Sequence, residues 1–306
     1  MDDESRLRFR PAPRPAPADI IAHLESLLGR PSIAPDYVRL RIAILRAQVA
    51  ALESSNAYVG HVSNVPGTLE TCPTKSPTCV PHEPAQALLS SLVEACRQHG
   101  HVPAELDRLE DAARRRPALP ADLASRVVLA GDEALLDSLA GQTGVPADML
   151  VFFGRLLAAP FITRAVDSSQ EPAEVRGQVQ FAGERAWRGA CPACGFEPAL
   201  AVIEEAQGQR VLYCSLCGSA WPFARLACPF CADQSPSLAR LEVEGEPARW
   251  IEACDGCRRY LQVIDLRRPL ARPSVVPLVE EAAGVYLDLI AQQHGYLRKP
   301  VYAALR

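Results

Sequence analysis

CPACG, residues 191–195, sets two cysteines three positions apart and follows the second with glycine. Outward from it the same spacing returns as CSLCG at 214–218, CPFC at 228–231 and CDGC at 254–257. Eight of the eleven cysteines therefore lie between positions 191 and 257, as four C-x-x-C pairs. Thiolates bind metal ions well, and four of them make a tetrahedral cage. C-x-x-C lets one short segment present two sulfurs to one ion. A glycine after the second cysteine allows positive φ, which turns backbone N–H groups toward the sulfurs. Gly195 and Gly218 meet that need, whereas Ala232 and Arg258 stand after the third and fourth pairs.

The order of the pairs predicts two sites. Pairs one and two are 19 residues apart and pairs three and four 22, each gap long enough for a hairpin. Cys191, Cys194, Cys214 and Cys217 are then expected to hold one metal ion. Cys228, Cys231, Cys254 and Cys257 are expected to hold a second. Cross-bracing, first with third and second with fourth, closes longer loops at a higher entropic cost, and spacing alone leaves it open. A thioredoxin-like redox pair sits at a strand-to-helix junction of a parallel α/β fold, whereas these pairs lie among short strands. Four-cysteine sites leave no open coordination position for substrate. Spacing does not separate iron from zinc.

The chain has 306 residues, 48% of them hydrophobic and 22% charged, with a net charge of −4. That is enough for one large domain or two to three smaller ones. Only Lys75 and Lys299 are lysines, and prolines number 27, a pattern of GC-rich coding rather than of phosphate binding. The N-terminus, MDDESRLRFRPAPRPAPADII, lacks the apolar run of a signal peptide. The most apolar run, MLVFFGRLLAAPFI (149–162), reads as too short to span a bilayer and carries Arg155. The expectation is a cytoplasmic protein without membrane insertion, where thiols stay reduced and clustered cysteines serve metal or redox roles.

The predicted fold class is α+β: a mainly α-helical N-terminal domain, two small rubredoxin-like or zinc-ribbon β modules, and a C-terminal helix. Residues 1–17 read as a flexible arm and 18–186 as the helical domain. Apolar periodicity marks about seven helices, including 18–29 with Gly29 as its stop, 36–54 capped by Asp36, and 146–166. Residues 56–82 read as a long loop and 167–190 as a linker. The first module is expected at 187–226 and the second, with the last helix at 277–295, at 227–306. Hairpins are expected to turn at Gly208 and near Gly245–Pro247.

Other candidates are weaker. Cys72 and Cys79, with His61 and His82 nearby, are too loosely spaced for a third site. Cys96 falls at an apolar helix position and reads as core. The sequence shows no phosphate loop, no G-x-S-x-G and no H-E-x-x-H, and no catalytic constellation is expected. Residues 191–268 carry eight arginines, no lysine and ten acidic residues. A nucleic-acid-binding ribbon would show a basic excess. Trp221, Phe223, Phe230, Trp250 and Tyr260 could stack on bases, but a small metal domain needs such residues as core.

A helical first half, then CPACGFEPALAVI, LYCSLCGSAWPFARLACPFC and WIEACDGCRRYLQVID, then VEEAAGVYLDLIAQQHGY, resembles the formate dehydrogenase accessory protein family, FdhE. The likeness is close over roughly 187–297, and MLVFFGRLLAAPFITRA is the most family-like helical stretch. The resemblance implies a cytoplasmic, non-enzymatic factor needed for active formate dehydrogenase, with that enzyme's catalytic subunit as partner. It further implies rubredoxin-like iron at the C-x-x-C pairs, in preference to zinc, with the eight cysteines above as ligands. It assigns no role to Cys72 or Cys79. The alternative is a zinc-ribbon nucleic-acid-binding regulator.

Overall fold

Proline begins several of the helices, where its missing N–H costs nothing and its φ suits the first turn. The computed structural model describes residues 15–54, 80–99, 103–168, 189–191, 193–206, 208–231, 237–268 and 275–298. The expected arm at 1–17 and the loop at 56–82 lie almost wholly outside them, as does most of the linker at 167–190. Cys72, Cys79, His61 and Ala232 are outside as well. The described residues form two compact units, one within 16–169 and one within 170–299.

The first unit is helical: α1 (Pro17–Glu25), α2 (Pro35–Ser54), α3 (His82–His99), α4 (Pro103–Arg115), α5 (Leu119–Asp122), α6 (Glu133–Thr143) and α7 (Ala147–Ser168). α1 stops four residues before Gly29. Leu27 and Leu28 instead donate to the carbonyls three residues back, which tightens the chain into turns. Asp36 does not cap α2. Pro35 is the first helical residue, and Asp36 sits in the first turn, accepting from Arg39 Nη1 at 2.7 Å. α2 buries Ile44 and Ala51 besides Val38 and Ile42, while Leu45, Val49 and Leu52 are half-buried, so its apolar stripe is broader than the periodicity implied.

After α5 the chain widens into a π-helical segment, Leu123–Leu129, where Ala130 N–H reaches back five residues to the Ser125 carbonyl. α7 packs on that segment so closely that a Cβ at Gly154 would lie 2.7 Å from Val128 Cγ2 and 2.9 Å from the Leu123 carbonyl oxygen. α7 also carries Pro160 in its interior. Proline has no N–H, which frees the carbonyl of Leu156 one turn earlier. Gln48 of α2 fills that place, donating from Nε2 at 2.8 Å.

α7 has 22 residues, longer than the apolar run suggested, and its stretch Ala147–Asp167 is long and apolar enough to cross a membrane. However, most of its apolar side is buried within the helical unit, with Phe153, Leu157 and Phe161 fully enclosed. Among the described residues it is the one helix of that kind.

The second unit is one six-stranded sheet: β1 (Pro198–Ile203), β2 (Arg210–Cys214), β3 (Ala220–Pro222), β4 (Leu238–Glu242), β5 (Arg249–Cys254) and β6 (Tyr260–Asp265), in the order β3-β2-β1-β6-β5-β4. β1–β2 and β4–β5 are the two expected hairpins. Gly208 (φ 61°) and Gly245 (φ 86°) supply the positive φ that their turns need. The sheet also joins the two cysteine segments, because β1 and β6 pair in parallel from Leu200↔Gln262 to Ile203↔Asp265. Each segment contributes three strands, and the first strand of one lies beside the third strand of the other. The segments therefore repeat along the sheet.

Two short helices, α8 (Pro277–Ala283) and α9 (Val285–Gln293), cover one face, where Ile251, Ala253 and Tyr260 pack with Leu287, Ala291 and Tyr296. The single helix expected at 277–295 is broken at Gly284. The Gly284 carbonyl accepts from Gln262 Nε2 at 3.1 Å, and a Cβ there would fall 2.4 Å from Gln262 Oε1. The buried pair Arg249–Glu280 ties α8 to β5.

Candidate metal centres

Each cysteine pair sits where a strand begins or ends. Cys214 ends β2 and Cys254 ends β5, while Cys191–Cys194 precede β1 and Cys228–Cys231 precede β4. β1, β4 and β6 run parallel to one another, so all four knuckles come to one end of the sheet. Within each segment the hairpin brings its two pairs together, as the consecutive pairing predicted. The sulfurs of Cys191, Cys194, Cys214 and Cys217 lie within 4.8 Å of one another, and so do those of Cys228, Cys231, Cys254 and Cys257. The cross-braced arrangement is not the one formed. Among the described residues these are the two groups that could hold a metal ion.

The spacing fits tetrahedral coordination. Four sulfurs about 2.3 Å from a common centre are separated by edges of roughly 3.8 Å. The Sγ–Sγ distances are 3.7 Å for Cys191–Cys217 and 3.4 Å for Cys194–Cys214. In the second group they are 3.7 Å for Cys228–Cys257 and 3.8 Å for Cys231–Cys254. All eight are free cysteines, and at these separations no two of the four close pairs are disulfide-bonded.

Backbone donors complete the knuckles. The N–H groups of Leu216 and Cys217 point at Cys214 Sγ, at 3.3 and 3.4 Å, and Ser219 Oγ lies 3.2 Å from Cys217 Sγ. The amides of Gly256 and Cys257 do the same for Cys254, and those of Phe230 and Cys231 for Cys228. Gly195 (φ 79°) and Gly218 (φ 65°) take the left-handed turn, each donating its N–H to the carbonyl of the first cysteine of its pair. Arg258 takes the same turn without being glycine, at φ 57°, and donates to the Cys254 carbonyl. Its side chain is held by Asp255, by the ring of Tyr296 at 4.1 Å and by the carbonyls of His294 and Gly295.

Burial pushes the thiols of Cys191 and Cys194 well above the ordinary thiol range, and that of Cys228 likewise. Cys257 is pushed up to about 11 by the same cause. Four crowded, buried sulfurs ionise together only with a cation among them, so the donor set matches a thiophilic metal ion. The first group is the more enclosed, with three of its four cysteines buried. In the second, Cys231 is exposed.

The aromatic candidates belong to packing. Trp221, Phe223, Trp250 and Tyr260 are buried, and Phe230 is half-buried beneath the guanidinium of Arg259, 3.9 Å from its ring centre. Cys96 is buried in the helical unit, its thiol pushed up to about 11 by burial.

Two charged contacts had no signature in the sequence, since both join the cysteine segments across long separations. Glu197, three residues after Cys194, pairs through both carboxylate oxygens with Arg259, two residues after Cys257. Arg210 of β2, fully buried, donates to the carbonyls of Ala224 and Ala227 and to Glu252 Oε1 of β5.

The chain is similar to known proteins. The FdhE central-domain model matches residues 190–225. The FdhE homologue of Aquifex aeolicus is 30% identical over 161 residues, 51% of this chain and 52% of that protein. Protein FdhE of Escherichia coli O1:K1 is 32% identical over 114 residues, 36% of each. The chain thus spans about half the length, or less, of these curated relatives. The crystal structure of the FdhE protein from Pseudomonas aeruginosa shares the fold, with a TM-score of 0.59 at 24% identity, covering 96% of this chain and 97% of that one. The segment that the central-domain model recognises is the one that folds into the first sulfur group, so over residues 190–225 the chain carries a segment that matches the FdhE central domain.

Proposed function

We propose that this chain is a non-enzymatic accessory factor for formate dehydrogenase, acting in the cytoplasm by binding that enzyme's catalytic subunit. In this reading Cys191, Cys194, Cys214 and Cys217 hold one metal ion, and Cys228, Cys231, Cys254 and Cys257 the other. Iron is preferred to zinc on the family resemblance. The observation that carries the reading is the pair of four-sulfur groups at one end of a single sheet, in a chain whose residues 190–225 match the FdhE central domain. A metal ion held by four thiolates has its coordination filled, so it supports a surface or passes single electrons rather than binding a substrate. The work of this chain's own residues is then to shape that end of the sheet. The proposed working limits are 18–186 for the helical domain, 187–226 for the first module and 227–306 for the second.

Burial of the aromatic side chains weighs against a nucleic-acid ribbon, which needs exposed rings and a basic excess. The deciding experiment is affinity capture of the tagged full chain from cells making formate dehydrogenase, followed by mass spectrometry. The catalytic subunit is expected to co-purify stoichiometrically. Its absence, with a low-salt gel shift of DNA or RNA, would overturn the reading in favour of the ribbon. Anaerobically purified protein is expected to be red from sulfur-to-iron charge transfer. A colourless, zinc-loaded protein would refute the iron assignment.

A further inference from the structure

We propose that the two four-cysteine groups load metal as one cooperative unit, with the Glu197–Arg259 ion pair as the element that couples them. This rests on the metal-binding reading above and goes beyond it, since two separate ribbons would load independently.

Several contacts join the groups, and they run through residues one to four positions from the clustered cysteines. Glu197 and Arg259 are nearly buried, with side chains 12% and 11% exposed. Both also hold their own knuckles by backbone bonds. The Glu197 carbonyl accepts from Ser215 N–H, inside the second knuckle, and the Arg259 carbonyl accepts from Cys254 N–H, at the fourth. Arg259 further stacks on Phe230, which lies between the ligands Cys228 and Cys231. One ion pair therefore touches knuckles of both groups.

Two other contacts act in the same direction. Gly189, two residues before Cys191, takes φ 64° against Pro229, the residue after Cys228. A Cβ there would lie 2.4 Å from Pro229 Cβ and 2.5 Å from its carbonyl oxygen. On the sheet face opposite α8 and α9, Arg210 reaches from β2 past β1 and β6 to Glu252 on β5, two residues before Cys254. The same guanidinium holds the carbonyls of Ala224 and Ala227, in the segment that leads into Cys228.

The physical consequence is a shared ordering cost. A knuckle without metal has no ion to tie its two sulfurs to the facing pair and little core of its own, so it holds its neighbours loosely. The first ion to bind orders one group, fixes Glu197 or Arg259, and so presents a buried charge that the other group must meet. The second ion then enters a site already partly ordered, which is positive cooperativity.

The test is a Co2+ titration of the metal-free full chain, read by native mass spectrometry as the fractions carrying zero, one and two ions. Independent sites leave about half of the molecules, or more, singly loaded at half-saturation, whereas a coupling of ~100-fold leaves about one tenth. The singly loaded form is expected to be scarce in the natural chain. In Glu197→Gln, which keeps all eight cysteines, it is expected to rise toward half, with both ions still bound at excess metal. A singly loaded form at half or above in the natural chain would overturn the proposal. A form that stays scarce in Glu197→Gln would overturn the assignment to this ion pair. Absence of the visible thiolate–cobalt bands at any ratio would instead refute the metal-binding reading itself.

Discussion

Arg258 adopts the left-handed backbone that Gly195 and Gly218 adopt at the matching places. For a non-glycine residue that conformation costs about 1–2 kcal/mol. Asp255, Tyr296 and two carbonyls near the chain's end offset it. The C-x-x-C-G rule was legible in sequence. This exception was not, because the Tyr296 ring and the two carbonyls come from residues 294–296, far along the chain. The ligands themselves lead to a direct prediction. Replacing Cys214 and Cys217 by serine is expected to lose the first metal site and abolish support of formate dehydrogenase in a complemented null strain. Metal binding supplies roughly 10–16 kcal/mol in small zinc domains, and two lost thiolates remove most of it. Serine at Cys72 and Cys79, outside the described residues, is expected to leave activity intact. Full activity from the Cys214/Cys217 variant would show the site to be dispensable. At Gly189, alanine must take positive φ and also overlap Pro229. Gly189→Ala is expected to destabilise the sheet unit by about 2 kcal/mol or more. An unchanged thermal midpoint of the metal-loaded protein would contradict this.

Among the elements, α7 shows how a local defect is repaired from a distance. Its apolar periodicity announced a helix, and Pro160 stands in the interior of the helix that forms. The helix persists because Gln48 of α2 takes the carbonyl that Pro160 leaves free. Gln48→Leu is expected to strand that carbonyl in the core at a cost of about 1–3 kcal/mol, without loss of metal. Chemical denaturation followed by helix signal reads it, and a midpoint equal to that of the natural chain would show that water or a neighbour replaces the amide. At the other end of the chain the periodicity ran unbroken through Gly284, yet α8 and α9 are separate helices. The buried amide of Gln262 lies against Gly284 and bonds both its carbonyl and Asp288. Nothing local to 277–295 encodes that contact. β3, three residues long, was likewise invisible to period-two patterning, which needs a longer run to register.

For the whole molecule, the described residues divide into a helical unit with its own apolar core and a sheet unit that carries all eight clustered cysteines. Chelating the metal is expected to melt the sheet unit while most helix signal in the far-ultraviolet circular dichroism remains. One cooperative loss of all helix would show that the units do not fold independently. The order of the four cysteine pairs, the hairpin-length gaps and the glycines after the first two pairs determined the two hairpins and favoured the consecutive grouping of the cysteines, which the hairpin pairing then formed. They did so because hairpin pairing and knuckle turns are local, built from residues close in sequence. The helices of the first half were legible for the same reason. The tertiary structure alone decided that β1 and β6 pair in parallel, turning two modules into one sheet. It alone placed Glu197 against Arg259 and Arg210 against Glu252. Those pairings join residues 42 to 62 positions apart, and contacts at that separation leave no period or spacing in the chain that makes them.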